Sequence, residues 1–430
     1  MKFMLKIKVF ILLFLFLLIQ YNYTDINNAL LEAVEEGNEA EVKHLVDKGA
    51  NVNSINNNVR TSLMVAAKEG YNAIVEALLA KSSDVHKGSH LYGITALMEA
   101  AKSGNIAIAK MLVENGATVN LQSSLDSTTA LILAAGEGRT NIVQFLLNNG
   151  ADSNIQDENG RTALCEAVSN GFNDIVQKLL SKAANVNITD MNNRTALHEA
   201  ITYKHNDIVP ILLDAGANAN TEDKWGWTAL MMAANNGNLA LVKLLLDNEA
   251  DVNAQSNKGW SVLMVAVSTG NLQIVKVLVD KNADVNAKTY FKNWTALWMA
   301  VCNDHNEITK LLINKGADVN ADIFFFDWTL LSIAVSKGKS DLVRLLLDSG
   351  FDINKKNKKG KTAIINAALY GKIDIVKILI EKGVKLNEKD KYGWTALFHA
   401  VRNGHSETVQ ALIQGGADPK KKDINRFRIG

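Results

Sequence analysis

Proline is almost missing from this chain, with two in 430 residues. That excludes a proline-rich spacer between folded parts. Cysteine is as scarce: Cys165 and Cys302 are the pair. A disulfide scaffold therefore cannot supply the stability. Net charge is small, +1 at pH 7, so no global field draws the chain to nucleic acid or to a membrane surface. The apolar run Val9–Ile19 is eleven residues long, short of the roughly 20 that a membrane span needs.

What is present is an ordinary globular composition, 47% hydrophobic and 21% charged, which excludes wholesale disorder. Lys2, Lys6 and Lys8 precede the Val9–Ile19 run. A basic start followed by a short apolar core reads as a secretory signal. No small-residue cleavage site comes after it, because Gln20, Tyr21, Asn22 and Tyr23 are next. Residues 1–20 are thus expected to be a signal peptide or a retained N-terminal anchor. The expected location is across an inner membrane, in the periplasm or secreted. The duller alternative is a helix capping the adjoining segment of chain. Three lysines ahead of an all-apolar run make a poor amphipathic cap.

The rest is organised around one unit, clearest from Trp227 to Asn253. Thr228 stands where a helix N-cap belongs, since its hydroxyl can accept from a free N–H. Ala229–Asn236 read as a short helix, ended by Gly237. Leu241, Val242, Leu244, Leu245 and Leu246 give a second helix an apolar stripe. Ala250-Asp251-Val252-Asn253 lead out into a turn. Two helices this short cannot offset about 1–2 kcal/mol of backbone entropy per residue by themselves. Neighbours are required, and the sequence repeats them. The anchor recurs at Thr61, Thr95, Thr129, Thr162, Thr195, Thr228, Ser261, Thr295, Thr329, Thr362 and Thr395, every 33 or 34 residues. Asn28 holds the place at the start, giving twelve units. Nine residues after an anchor stands glycine, as at Gly70, Gly237 and Gly404, with Lys204 and Asp304 the exceptions. A fixed period in this range marks a stacked array.

The pattern Thr-x-Leu-x-x-Ala, a mid-unit Gly, Ile-Val, Leu-Leu and Gly-Ala-Asp-Val-Asn resembles the ankyrin repeat. It covers residues 27–418, leaving a basic tail at 419–430. The family's Thr-Pro-Leu is here Thr-Ala-Leu, as at Thr228-Ala229-Leu230. Proline at the first helical position is preorganised but optional. The resemblance implies an all-α solenoid of helix-turn-helix units with β-hairpin turns along one edge. It also implies that the residue just before the Thr lies on a partner-facing surface.

Little else carries chemistry. The cysteines lie four units apart, too far for the roughly 7 Å that a disulfide allows. His198-Glu199 is not followed by a second His at helical spacing, so the zinc-protease motif is absent. His205, His305 and His405 share one offset, which in the family is structural. Gly136-Glu137-Gly138 lacks the third glycine and the strand of a dinucleotide loop. Pro210 falls inside a second helix and is expected to disturb it. Lys355, Lys356, Lys358, Lys359 and Lys361 form a basic turn, read as solvated. No catalytic, cofactor or metal residue is assigned.

Aromatic rings are the functional signal. Trp227, Trp260, Trp294, Trp328 and Trp394 each precede an anchor, and Phe324-Phe325-Phe326 fill one turn. Stacking should align the consecutive tryptophans along a ridge. Such rings anchor interfaces, although each could instead pack on its neighbour. The expectation is an exported, non-enzymatic protein-interaction module, monomeric, without nucleic acid or cofactor. It binds a protein on these eight residues and the concave face. A passive periplasmic scaffold is the alternative. An enzyme with a grafted site is disfavoured, since no segment escapes the repeat.

Overall fold

The computed structural model describes residues 25–57, 59–89, 93–321 and 328–419. The apolar run at Val9–Ile19, the ring triplet Phe324–Phe326 and the basic tail lie outside these residues. Contacts divide the chain into two compact units, Met1–Lys224 and Trp225–Gly430.

Each repeat builds two helices for the reasons its residues give. The Thr228 hydroxyl accepts from Met231 N at 3.4 Å and starts helix Ala229–Asn235. Thr61, Thr95, Thr129, Thr162, Ser261, Thr295, Thr329 and Thr395 cap their helices in the same way. Satisfying a free N–H like this contributes about 1 kcal/mol per helix. The chain then reverses through a left-handed residue, Gly237 at φ 69°. Lys204 and Asp304, which replace that glycine, hold the same conformation at φ 64° and 61°. The turn is thus set by its surroundings, and glycine only removes its steric cost.

The second helix of the unit is Leu239–Asp247. Leu241, Val242 and Leu245 are buried, whereas Leu244 and Leu246 are half-buried. The apolar stripe is therefore narrower than the sequence suggests, because only one face meets the neighbouring helices. Pro210 does not kink its helix. That helix is Ile208–Asp214, seven residues long where Leu239–Asp247 has nine. It begins late enough to leave Pro210 in its first turn, where no N–H is needed.

At the start, residues 25–35 are helical, so Asn28 sits within a helix and is no cap. Glu32, Glu35, Glu36, Glu39 and Glu41 are all exposed there, as the outer face of a terminal repeat requires.

In each unit, first helices pack on first helices and second on second. Ser62–Glu69 lies on Ala96–Ser103 in the first unit. Ala363–Leu369 lies on Ala396–Arg402 in the second. The result is an all-α repeat solenoid. Among the described residues the turns form no ladder beyond two isolated antiparallel bridges, Ile55 with Thr61 and Gln255 with Ser261.

The turns are fastened in two other ways. Many tips are Asx turns: Asp190 Oδ1 accepts from Asn192 N at 2.7 Å and Arg194 N at 2.8 Å. Asp157, Asn357 and Asp390 do the same. Neighbouring tips are then sewn together through main chain. Met191 N donates to Asn159 O at 2.9 Å, and Asn257 N to Trp225 O at 3.0 Å. At Gly226 a Cβ would stand 2.6 Å from Asn257 N, so the close approach needs glycine there. The asparagine that ends many repeats clamps the following repeat: Asn286 Oδ1 accepts from Asp318 N at 2.7 Å, and its amide donates to Gly316 O at 3.1 Å.

Candidate interaction surface

Three positions of every repeat meet in the crook between the turn and the first helix. They are the residue before the anchor and those four and seven after it. The last two lie one turn apart on the same helix face. Arg161, Glu166 and Ser169 occupy them after the Thr162 anchor. Trp260, Val265 and Ser268 do so around Ser261, and Trp394, His399 and Arg402 around Thr395.

In the first unit the crooks beside Arg60, Arg161 and Arg194 are filled by ions. The Glu199 side chain is 2% exposed, with Arg161 Nη1 at 3.3 Å and Arg194 Nη1 at 3.1 Å. Ser169 Oγ donates to Glu199 at 2.8 Å. Arg161 Nε also holds Glu166 at 2.5 Å. Burial opposes the charge on Arg161, yet the Glu166 and Glu199 carboxylates outweigh it and hold the guanidinium above its usual range. Arg60 pairs with the buried Glu99 at 3.2 Å in the same register.

In the second unit tryptophan stands before five of the six anchors, with Lys361 before Thr362 the exception. Trp227, Trp260, Trp294, Trp328 and Trp394 are all half-buried. Trp294 stacks on Trp298 of its own helix, centroids 4.8 Å apart and planes at 15°. Lys292 Nζ sits 4.6 Å from the Trp294 ring. Trp394 is enclosed by Phe398 at 4.9 Å, His399 at 5.4 Å and the Arg402 guanidinium at 4.6 Å. Trp227 and Trp260 are brought together differently. With Trp225 they line an open cavity of about 430 Å³, closed below by Asn235, Val265 and Ser268 and at the side by Ser256, Asn257 and Lys258.

Among the rings exposed to solvent are those at the tips, Phe291 at 94%, Tyr290 at 63% and Trp225 at 54%, while Tyr203 and Tyr370 are exposed at the ends of first helices. Phe324, Phe325 and Phe326 lie outside the described residues. Asn235, Val265, Ser268, Trp298 and Arg402 were not singled out from the sequence. The signal that finds Asn235, Val265, Ser268 and Arg402 is their distance of four or seven residues from the anchor; Trp298 stands three residues after its own.

The remaining polar groups are committed to the scaffold. His205 Nε2 lies 3.0 Å from Ser169 O, and His405 Nε2 lies 3.2 Å from Leu369 O, each reaching back one repeat. Lys355 Nζ donates to Asn320 O at 2.7 Å, and Lys356 pairs with Glu388 at 2.7 Å. His399 Nε2 is 2.9 Å from Asp390 Oδ2, both side chains nearly inaccessible. Burial lowers the His399 pKa, assisted by Lys361 and Arg402 and opposed by Asp390.

Cys165 and Cys302 are free thiols. Burial raises the pKa of both, that of Cys302 to about 11, which leaves them poor nucleophiles near neutrality. Among the described residues no three potential ligands gather to hold a metal ion, and no helix is long and apolar enough to cross a membrane.

The family model for ankyrin repeats (3 copies) matches this chain in overlapping stretches, residues 10–89, 30–123, 83–157, 131–223, 197–289, 288–357 and 331–423. No curated protein matches it.

Proposed function

This chain belongs to the ankyrin-repeat family, whose arrays serve as protein–protein interaction modules, and from that premise we propose that the turns of the second unit hold its partner. Supporting this reading are exposed rings on two tips of this unit, Trp225 on one and Tyr290 with Phe291 on the next but one. Exposed aromatic groups set side by side are a usual mark of an interface. The tips are already tied to one another, so binding orders few loops and little entropy opposes it. The protein acts without catalysis, by presenting a preorganised surface.

Its place of action, on this proposal, is outside the inner membrane, supported by the basic start and the Val9–Ile19 run. Mass spectrometry of the mature N-terminus tests export: a chain beginning at Met1 and recovered from the cytoplasm sinks it. Affinity purification with an immobilised full chain tests the surface. Phe291→Ser together with Tyr290→Ser should abolish recovery of the partner while leaving helical content unchanged. Undiminished recovery would place the interface elsewhere.

A further inference from the structure

The crook between turn and first helix is built alike in each unit but is not filled alike. Arg161, Glu166, Ser169 and Glu199 close it with their own side chains. Around Trp294 the gap is taken by Trp298, and around Trp394 by Phe398 and Arg402. Between Trp227 and Trp260 it stays open. Ser268 stands where Arg402 stands in the last repeat, and its short side chain turns back to Val265 O at 2.7 Å. Asn235, at the matching position one repeat earlier, is likewise too short to cover an indole. The cavity is thus left where neither a long side chain seven residues after the anchor, like Arg402, nor a ring three residues after it, like Trp298 or Phe398, covers the indoles.

Its chemistry selects an occupant. The apolar walls are three indole side chains and Val265, with Asn235, Ser256, Asn257 and Ser268 between them, and the volume of about 430 Å³ is toward the low end of the range of ligand pockets, roughly 300–1,000 Å³. That suits one large apolar group. The one charged group in the lining is a cation. Lys258 is exposed at the cavity edge, and its carbonyl accepts from Tyr290 N at 3.2 Å. This bond sets the next tip, with Lys292, beside it. The stretches Trp225–Trp227, Ser256–Trp260 and Thr289–Trp294 contain no Asp or Glu. An apolar anchor carried among carboxylates therefore matches both floor and rim.

We propose that this cavity is the anchor subsite of the partner surface and receives an aromatic side chain from an acidic protein segment. The inference rests on the interaction reading above but is narrower. It assigns one socket, one kind of side chain and one sign of flanking charge.

The test uses the full chain and three fluorescein-labelled, C-amidated peptides read by anisotropy: Asp-Glu-Phe-Glu-Asp, the same with Ala at the centre, and Lys-Lys-Phe-Lys-Lys. The acidic Phe peptide should bind, and the Ala and Lys peptides should bind about tenfold or more weakly. Ser268→Arg, which copies the plug at Arg402, should weaken the Phe peptide about tenfold, whereas Ser268→Ala should leave it unchanged. Lys258→Glu should invert the preference between the acidic and basic peptides. Circular dichroism of each variant reports folding separately.

Equal binding of the Phe and Ala peptides would overturn the proposal, as would no effect of Ser268→Arg in a folded chain. Saturable binding of maltohexaose in place of the peptides would mark a sugar site and overturn it too. Loss of natural-partner binding in the tip-ring variants, with none in Ser268→Arg, would end this inference and leave the broader reading standing.

Discussion

Glu199 and Val265 occupy the same position of their repeats, four residues after the anchor, and the crooks around them are opposites. Around Glu199, two arginines and a serine converge on a carboxylate that is 2% exposed in its side chain. Around Val265, two tryptophans leave a cavity. One backbone supports both, because the anchor, the helix it caps and the tied turn do not depend on what fills the crook. The crook at Glu199 is closed by its own side chains, and the one at Val265 is left open. A repeat fold can therefore divide labour between units without changing its architecture.

That contrast can be broken most severely at Glu199. Replacement by Ala leaves Arg161 and Arg194 facing each other with no carboxylate between them, and should cost about 3 kcal/mol. Urea unfolding should show a lower midpoint. Converting the cluster to the second unit's residues, with Arg161→Trp, Glu166→Val, Arg194→Trp and Glu199→Val together, should recover most of that loss. A ring replaces the ion pair and no charge is stranded. A quadruple variant as unstable as the single one would show that the two ways of filling the crook are not interchangeable.

A smaller effect is expected at Trp294. Its stack on Trp298 should make Trp294→Ala cost about 1–2 kcal/mol, seen as a lower melting temperature. An unchanged melting temperature would mean that this ring does not serve the fold and would add it to the proposed partner surface.

The finest distinction is the pH response of the last crook, where His399 takes the place of Glu199. Its folded pKa lies below the ordinary histidine value. As pH falls the unfolded chain therefore takes up a proton first, and the stability due to neutral His399 is whole above about pH 6.5. It is lost as pH falls through the folded value. His399→Gln should flatten the pH dependence of the unfolding midpoint between pH 7 and pH 5. An unaltered slope would assign that dependence to other groups.

Much of this was legible in the sequence. Thr or Ser at 33- or 34-residue spacing located the first helices, because an N-cap is a local device whose partner lies three residues away. The glycine turns were legible for the same reason. The clamp from Asn286 to Asp318 was not, although Asn ends many of the repeats: the bond joins residues 32 apart. The surroundings of the tryptophans that precede five of the anchors were only half legible. Their row is visible in the sequence, but the half-burial of Trp294 and Trp394 depends on Trp298, Phe398 and Arg402 at helical offsets.

By itself the sequence determined the period, the caps, the turns and the identity of the fold, all of which arise within a few residues of chain or from repetition of one unit. Tertiary structure alone decided which indoles are covered, which crook is closed by ions and which is open. Those outcomes depend on how long a side chain is relative to the gap it must cross from the neighbouring repeat, and that gap exists only once the repeats are stacked.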